Sequence, residues 1–137
     1  MIHVAYGHRS LRISRNETFR VVRGVLRGEK ARIPRISVVY TDDRFMRRLN
    51  REYLRHDRTT DVISFSLGSR ANPECEIYVN LDRSRIQARL YGVPFGTETK
   101  RLLIHGLLHA LRYDDRTAGQ KRRMTKREDT YLLRTQQ

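Results

Sequence analysis

Residues 105–115 read His105-Gly-Leu-Leu-His109-Ala-Leu-Arg-Tyr-Asp-Asp115, an apolar stretch with two histidines that runs into a polar turn. The apolar pattern begins after Thr97, a residue type that can cap the start of a helix. Leucines recur at the three- and four-residue spacing of a buried helix face, at Leu102, Leu103, Leu107 and Leu108. Because a helix this apolar must pack against other elements, the pattern predicts helices layered on a sheet.

Four other segments have the composition of strands. The clearest is Ile36-Ser-Val-Val-Tyr40, a β-branched run that follows Pro34. A loop containing Gly68, Asn72 and Pro73 separates two of the others. The four predicted strands span residues 1–6, 36–40, 60–65 and 76–80.

Capping patterns and helical spacing mark the remaining helices. Ser14–Glu17 and Thr117–Gln120 have the spacing of a capping box, in which both side chains satisfy free backbone N–H groups. A further helix is predicted to end at Gly92, with Ile86 and Leu90 facing inward. The order of these elements predicts an α+β fold, with one sheet of about four strands and about five helices.

Length and charge narrow the class of protein. The 137 residues suit a single domain covering residues 1–137. The formal net charge is +14, which favours a polyanion such as RNA or DNA, although a solubilising basic surface is the simpler alternative. No apolar run approaches the roughly 18 residues of a membrane span, and residues 1–6 lack the features of an export signal, so we expect none. The single cysteine, Cys75, cannot form an internal disulfide, so we expect a cytoplasmic protein.

The two histidines are candidate ligands of one metal ion. Four residues advance a helix by roughly 400°, so His105 and His109 lie one above the other on one face. The turn after the helix can bring Asp115 to the same ion, with Asp114 as the competing carboxylate. Three protein ligands leave a fourth position for water, as in catalytic zinc sites. The alternative interpretation is a pair of partly buried core histidines.

Residues 105–115 resemble the signature H-G-x-L-H-L-x-G-Y-D-H of the YbeY family, bacterial metal-dependent endoribonucleases implicated in ribosomal RNA maturation. The resemblance covers most of residues 36–128 and includes several motifs in one order. The other matching positions are Leu49-Asn-Arg-Glu-Tyr53, Asp57, Thr60-Asp-Val-Ile-Ser-Phe65, Met124 and Glu128. The resemblance implies one Zn²⁺ per chain, held by His105, His109 and Asp115.

The sequence departs from the family pattern at three positions. Asp115 replaces the third histidine; a carboxylate still binds zinc but makes the site harder, so Mn²⁺ or Mg²⁺ is also possible. Arg112 replaces a glycine, at a cost of roughly 1 kcal/mol if that residue has a positive φ. It either places a guanidinium beside the metal, where a phosphate would bind, or faces solvent. The family's arginine after the tyrosine falls on Leu54, and Arg55 is preferred over His56 as its substitute.

Several neighbouring residues have both a functional and a structural interpretation. Asp61 and Ser64 are candidates for supporting the metal ligands, Asp61 by a hydrogen bond to a ligand histidine, although it could simply cap a strand. Phe65 and Tyr78 could stack on bases, although core packing is the simpler role for Phe65. Cys75 is expected to be a small buried residue.

The resemblance and the charge together predict a zinc-dependent endoribonuclease that hydrolyses single-stranded RNA with a zinc-activated water, with Arg55 and Arg112 as candidate catalytic residues. Gly106 occupies the position of the glutamate base in H-E-x-x-H proteases, which argues against peptide hydrolysis. The expected partners are ribosomal RNA and the small ribosomal subunit, in ribosomal RNA maturation and ribosome quality control. We expect no membrane partner and no dinucleotide cofactor. The alternatives are a non-catalytic ribosome- or RNA-binding protein with a structural metal, and a hydrolase of small phosphoesters.

Overall fold

The computed structural model describes residues 1–55 and 58–135. His56 and Asp57, which the family resemblance singled out, lie outside the described residues. The strands are β1 (Ile2–Tyr6), β2 (Arg35–Thr41), β3 (Val62–Gly68) and β4 (Pro73–Asn80). The helices are α1 (Arg15–Glu29), α2 (Asp43–Tyr53), α3 (Leu81–Tyr91), α4 (Phe95–Ala110) and α5 (Ala118–Thr135). None of these helices is long and apolar enough to cross a membrane.

The four strands form one mixed sheet in the order β1-β2-β4-β3. Strands β1, β2 and β4 are parallel, because helices α1 and α2 lie in the connections that lead toward them. Strand β3 pairs antiparallel with β4 and forms an edge of the sheet. At the end of β3, Gly68 has a φ of 77°, and a Cβ there would lie 2.3 Å from the Asn72 carbonyl oxygen. The predicted α+β fold with one mixed sheet is therefore confirmed.

Alternation along the strands divides the core between the two faces of the sheet. Cys75, Ile77 and Val79 of β4 join the main core, to which α1, α4 and α5 also contribute buried residues. A smaller cluster on the other face joins Met46 and Leu49 of α2 to Ile63 of β3, with Phe65 and Tyr78 packed against it. The preference for core packing over base stacking at Phe65 agrees with this position.

Two details of the helices differ from the sequence-based expectation. Ile86 and Leu90 of α3 are 43% and 75% exposed, because α3 begins directly after β4 and turns Leu81, Ser84 and Ala88 inward instead. Helix α4 begins at Phe95 after Pro94, so Thr97 lies inside its first turn and does not cap it. The capping box at Thr117 forms with both bonds, since Gln120 N donates to Thr117 Oγ1 and Thr117 N donates to Gln120 Oε1. At Ser14, the side chain caps α1 as predicted by accepting from Glu17 N.

Candidate metal centre

Helix α4 approaches β3 and β4 closely at Gly106, between its two histidines. A Cβ at Gly106 would lie 2.8 Å from Ile77 Cγ2 and 3.0 Å from Val62 Cγ2, so a side chain would force the helix away from the sheet. Ser64 Oγ donates a hydrogen bond of 2.7 Å to the Gly106 carbonyl oxygen. Ser64 was predicted to support the metal ligands. In the structure it contacts the backbone of the helix that carries the histidines, and this contact helps to set their distance from β3.

Three side-chain donors converge beside this contact. The Nε2 atoms of His105 and His109 lie 3.0 Å apart, and Asp115 Oδ2 lies 3.4 Å and 3.3 Å from them, respectively. Donors held about 2.0–2.1 Å from one tetrahedral ion stand about 3.3–3.4 Å apart, so the triangle matches a three-ligand zinc site closely. No other His, Cys, Asp or Glu among the described residues joins the group.

The triangle faces a polar cavity of about 470 Å³. The three ligand side chains are 26%, 32% and 38% exposed, so a fourth position on the ion would be open to the cavity. Thr60, Ser64 and Ser66, which carry hydroxyl groups, also line this cavity, together with Asp61. An open position beside hydroxyl groups suits a hydrophilic ligand such as a phosphate.

Glu128 of α5 fixes the orientation of His105. His105 Nδ1 lies 2.6 Å from Glu128 Oε2, and since a carboxylate accepts, Nδ1 carries the proton and Nε2 presents its lone pair to the metal position. Arg101 donates to Glu128 Oε1 at 3.2 Å and holds the carboxylate in place. Burial lowers the pKa of His105, but the hydrogen bond and charge of Glu128, with the charges of Asp115 and Asp61, raise it overall.

The hydrogen bond expected from a ligand histidine to Asp61 thus goes to Glu128. Asp61 instead accepts from Val62 N at 2.8 Å and from Gln87 Nε2 at 3.3 Å, which is the strand-capping alternative. The resemblance marked the position of Glu128 without indicating its role. Glu128 stands in the largely polar sequence of α5, and for this reason it did not attract attention as a buried residue. In the structure it faces the core and is 6% exposed.

A second buried carboxylate belongs to Glu98, which lies on the histidine helix α4, seven residues before His105. Burial raises its pKa to about 7; the charge of Arg101 opposes this rise, and those of Asp61 and Glu128 add to it. Sequence reasoning did not single out Glu98. The spacing of Glu98, Arg101 and His105 on one helix face was the available signal for a polar stripe leading to the metal site.

The turn that carries Asp115 is a Schellman motif. Arg112 N donates to the His109 carbonyl and Tyr113 N to the Leu108 carbonyl, and Arg112 has a φ of 75°. Arginine at the family's glycine position thus has a left-handed backbone conformation. Tyr113 Oη donates to Glu29 Oε1 at 2.5 Å, which ties the turn to the end of α1.

The other predicted site residues lie outside this cavity. Asp114 is exposed and lines a separate shallow pocket, so the geometry brings Asp115 and not Asp114 to the histidines. Arg112 lines that pocket and also a groove adjoining the metal cavity. Arg55 is exposed directly after α2, with a φ of 58°, and does not line the cavity. The structure therefore brings the three predicted metal ligands together but brings neither predicted catalytic arginine into the cavity that they line.

Comparisons with known proteins place the chain in a family. The model of the family described as "Endoribonuclease YbeY" matches residues 5–136. A Chlorobium luteolum protein named endoribonuclease YbeY is 46% identical over 113 residues, covering 82% of each chain. The protein of the same name from Chloroherpeton thalassium is 44% identical over 108 residues, covering 79% of this chain and 77% of the relative.

A solved structure has the same fold. The solution structure of a Thermotoga maritima protein superposes with a TM-score of 0.70, covering 98% of this chain and 89% of the other, at 23% identity. The family match spans nearly the whole described chain, and the relatives are well above 30% identical over most of their length. The chain therefore belongs to the YbeY endoribonuclease family.

Proposed function

We propose that this protein is a metal-dependent endoribonuclease that cleaves single-stranded RNA during ribosomal RNA maturation and ribosome quality control. The observation that carries the proposal is the His105–His109–Asp115 triangle beside a polar cavity, in a chain of the YbeY family. A net charge of +14 supports a polyanionic substrate. Unpaired RNA is favoured because its backbone can bend to bring one phosphate into a small cavity.

Zinc is the proposed ion, at one per chain. Two imidazoles and a carboxylate in a triangle of 3.0–3.4 Å fit its tetrahedral preference, and Asp115 leaves Mn²⁺ or Mg²⁺ as alternatives. When bound, the ion lowers the pKa of a water molecule toward neutrality and polarises a phosphoryl oxygen. A structural zinc would need a fourth protein ligand, and Cys75 lies in the main core instead.

The chain's own residues prepare the site for this chemistry. Glu128 keeps the proton of His105 on Nδ1, so that its Nε2 presents a lone pair, and His109 Nε2 lies 3.0 Å from that atom. Asp115 supplies the negative charge that the two neutral imidazoles lack. The crowding around Gly106 leaves no room for the glutamate base of a zinc protease, which argues for phosphodiester over peptide hydrolysis.

The proposed partners follow from this activity. A ribosomal RNA substrate implies contact with the small ribosomal subunit, and its maturation would place the protein in the cytoplasm. The free, buried thiol of Cys75 is compatible with a reducing compartment.

The proposal is tested by cleavage of one RNA in single-stranded and fully paired form. We expect cleavage of the single strand, loss of cleavage after chelation and recovery on adding Zn²⁺. His109→Ala, purified in parallel, controls for contaminating nucleases. Equal cleavage by His109→Ala, or cleavage that is indifferent to chelation, would contradict the proposal and favour a non-catalytic RNA-binding protein.

A further inference from the structure

A second groove, of about 530 Å³, adjoins the metal cavity. Ser66 and Ala110 line both spaces, so the two are neighbours at the edge strand β3 and the end of α4. Three arginines from three separate segments line the groove: Arg32 after α1, Arg70 in the β3–β4 turn and Arg112 in the turn after α4. A strand that leaves the metal cavity on this side would therefore meet basic side chains.

The charges of this groove are available to a ligand. Among the described residues, none of the three arginines forms an ion pair with an acidic side chain, and all three are exposed. Of the described residues that line the groove, Glu74 alone carries a carboxylate, and that carboxylate lies 3.9 Å from Arg35 outside the groove. The net charge of the lining is thus positive, which favours phosphate groups.

The lining also indicates which part of an RNA would bind. The lining residues that the structure describes include Ser66 and Ser69, which carry hydroxyl groups, and none with an aromatic ring. Aromatic rings are the main platforms for base stacking in single-strand binding sites, whereas guanidinium and hydroxyl groups hold phosphate oxygens. The lining therefore favours contacts with the sugar-phosphate backbone over stacking with the bases.

Backbone conformation provides an independent argument. Arg112 lies at the left-handed position that ends α4, with a φ of 75°, where glycine would be less strained by roughly 1 kcal/mol. A strained residue at a cleft points to a function for its side chain. An arginine at this position adds a cation to the groove directly beside the ligand turn.

We infer that the RNA strand runs from the metal cavity into this groove, where its backbone phosphates contact Arg32, Arg70 and Arg112. The inference rests on the proposed function for the identity of the ligand. It adds a binding segment beside the cleaved bond, with little dependence on base sequence.

The test compares two triple variants of the zinc-loaded protein. Arg32→Gln/Arg70→Gln/Arg112→Gln removes the groove charges. The matched control, Arg20→Gln/Arg23→Gln/Arg27→Gln, removes three exposed arginines that line a separate groove on α1. The probe is a fluorescein-labelled 2′-O-methyl phosphorothioate oligouridylate, which keeps the backbone charge and resists cleavage. Its affinity is measured by anisotropy at increasing salt.

Each phosphate contact on a single strand contributes a slope of about −0.7 in log K against log salt, so losing three contacts should make the slope about 2 units shallower. The control should retain a slope near that of the parent protein. Equal slopes in the two triple variants would overturn the inference, because net charge alone would then explain binding. Displacement of the probe by polyglutamate at equal charge would assign the groove to an acidic protein segment and would also overturn it.

The two proposals fail in different ways. If the parent protein cleaves RNA but the groove variant binds the probe like the control, the inference fails and the proposed function stands. If binding depends on the groove but no RNA is cleaved, the groove assignment stands and the proposed endoribonuclease activity fails. Metal content, measured in all three proteins, should be equal, since none of the six arginines lies within the ligand group.

Discussion

Removing the Asp115 carboxylate is expected to empty the metal site, whereas removing its neighbour Asp114 should have little effect. Asp115 Oδ2 lies 3.3–3.4 Å from both imidazole nitrogens, and no other acidic, cysteine or histidine donor among the described residues can replace it. Asp114 is exposed and lines a different pocket. The two alanine variants therefore remove the same functional group one residue apart, and Asp114→Ala is the matched control.

The expected loss can be worked out from the ligand count. Four-ligand zinc sites are worth about 10–16 kcal/mol, or about 2.5–4 kcal/mol for each ligand. Since about 1.4 kcal/mol corresponds to a factor of ten, Asp115→Ala should weaken zinc binding by about 10²–10³-fold. Such a site would lose its metal during dialysis against a mild chelator, and RNA cleavage would be lost with it.

Asp115→His should retain the metal, because imidazole is the ligand that the family signature places at this position. Imidazole neutralises none of the ion's charge, so the pH profile of cleavage should move toward lower pH. Metal content after dialysis, zinc titration and cleavage of a single-stranded RNA are measured for all three variants. A metal-replete, active Asp115→Ala protein would refute the ligand assignment, as would an Asp114→Ala protein that loses its metal.

Three further predictions concern the surroundings of the site. Glu128→Gln replaces the carboxylate that accepts a hydrogen bond from His105 Nδ1. The affinity for zinc, measured by competition with a chelating dye, should therefore fall by about 10–100-fold. An unchanged affinity would count against the proposed role of Glu128 in orienting His105. Arg112→Gly should raise the free energy of unfolding, measured in urea, by about 1 kcal/mol, because glycine adopts a positive φ without strain. Lys30→Gly, at the left-handed end of α1, is the control away from the site. No gain in stability at Arg112 would contradict the strain argument. Burial raises the pKa of Glu98 from its ordinary 4.5 to about 7. The folded state therefore binds the Glu98 proton more tightly than the unfolded state does. The resulting contribution to the free energy of unfolding is fully present below pH 4.5 and is lost as the pH rises through 7. Glu98→Gln should therefore be more stable than the parent by about 3 kcal/mol above pH 7, and parallel stability curves for the two proteins would exclude the buried-acid interpretation.

The sequence alone was sufficient for the features that depend on local periodicity. The spacing of His105 and His109 fixes their common face once a helix forms, because helix geometry is independent of the rest of the chain. The same holds for the capping box at Ser14, which involves groups three residues apart. The strand and helix order followed from apolar patterns of this kind, and the resemblance to a family supplied the third ligand at Asp115.

Only the tertiary structure decided which residues support the ligands. Glu128 reaches His105 because α5 packs on α4, and the two residues are 23 positions apart, beyond any local pattern. Ile86 and Leu90 were predicted to face the core, yet the start of α3 directly after β4 sets a register that exposes them. The position of the basic groove next to the metal cavity likewise depends on β3 lying against α4, because Ser66 and Ala110 line both. Periodicity determines which face a residue shares with its neighbours on one element, whereas the packing of elements determines what that face meets.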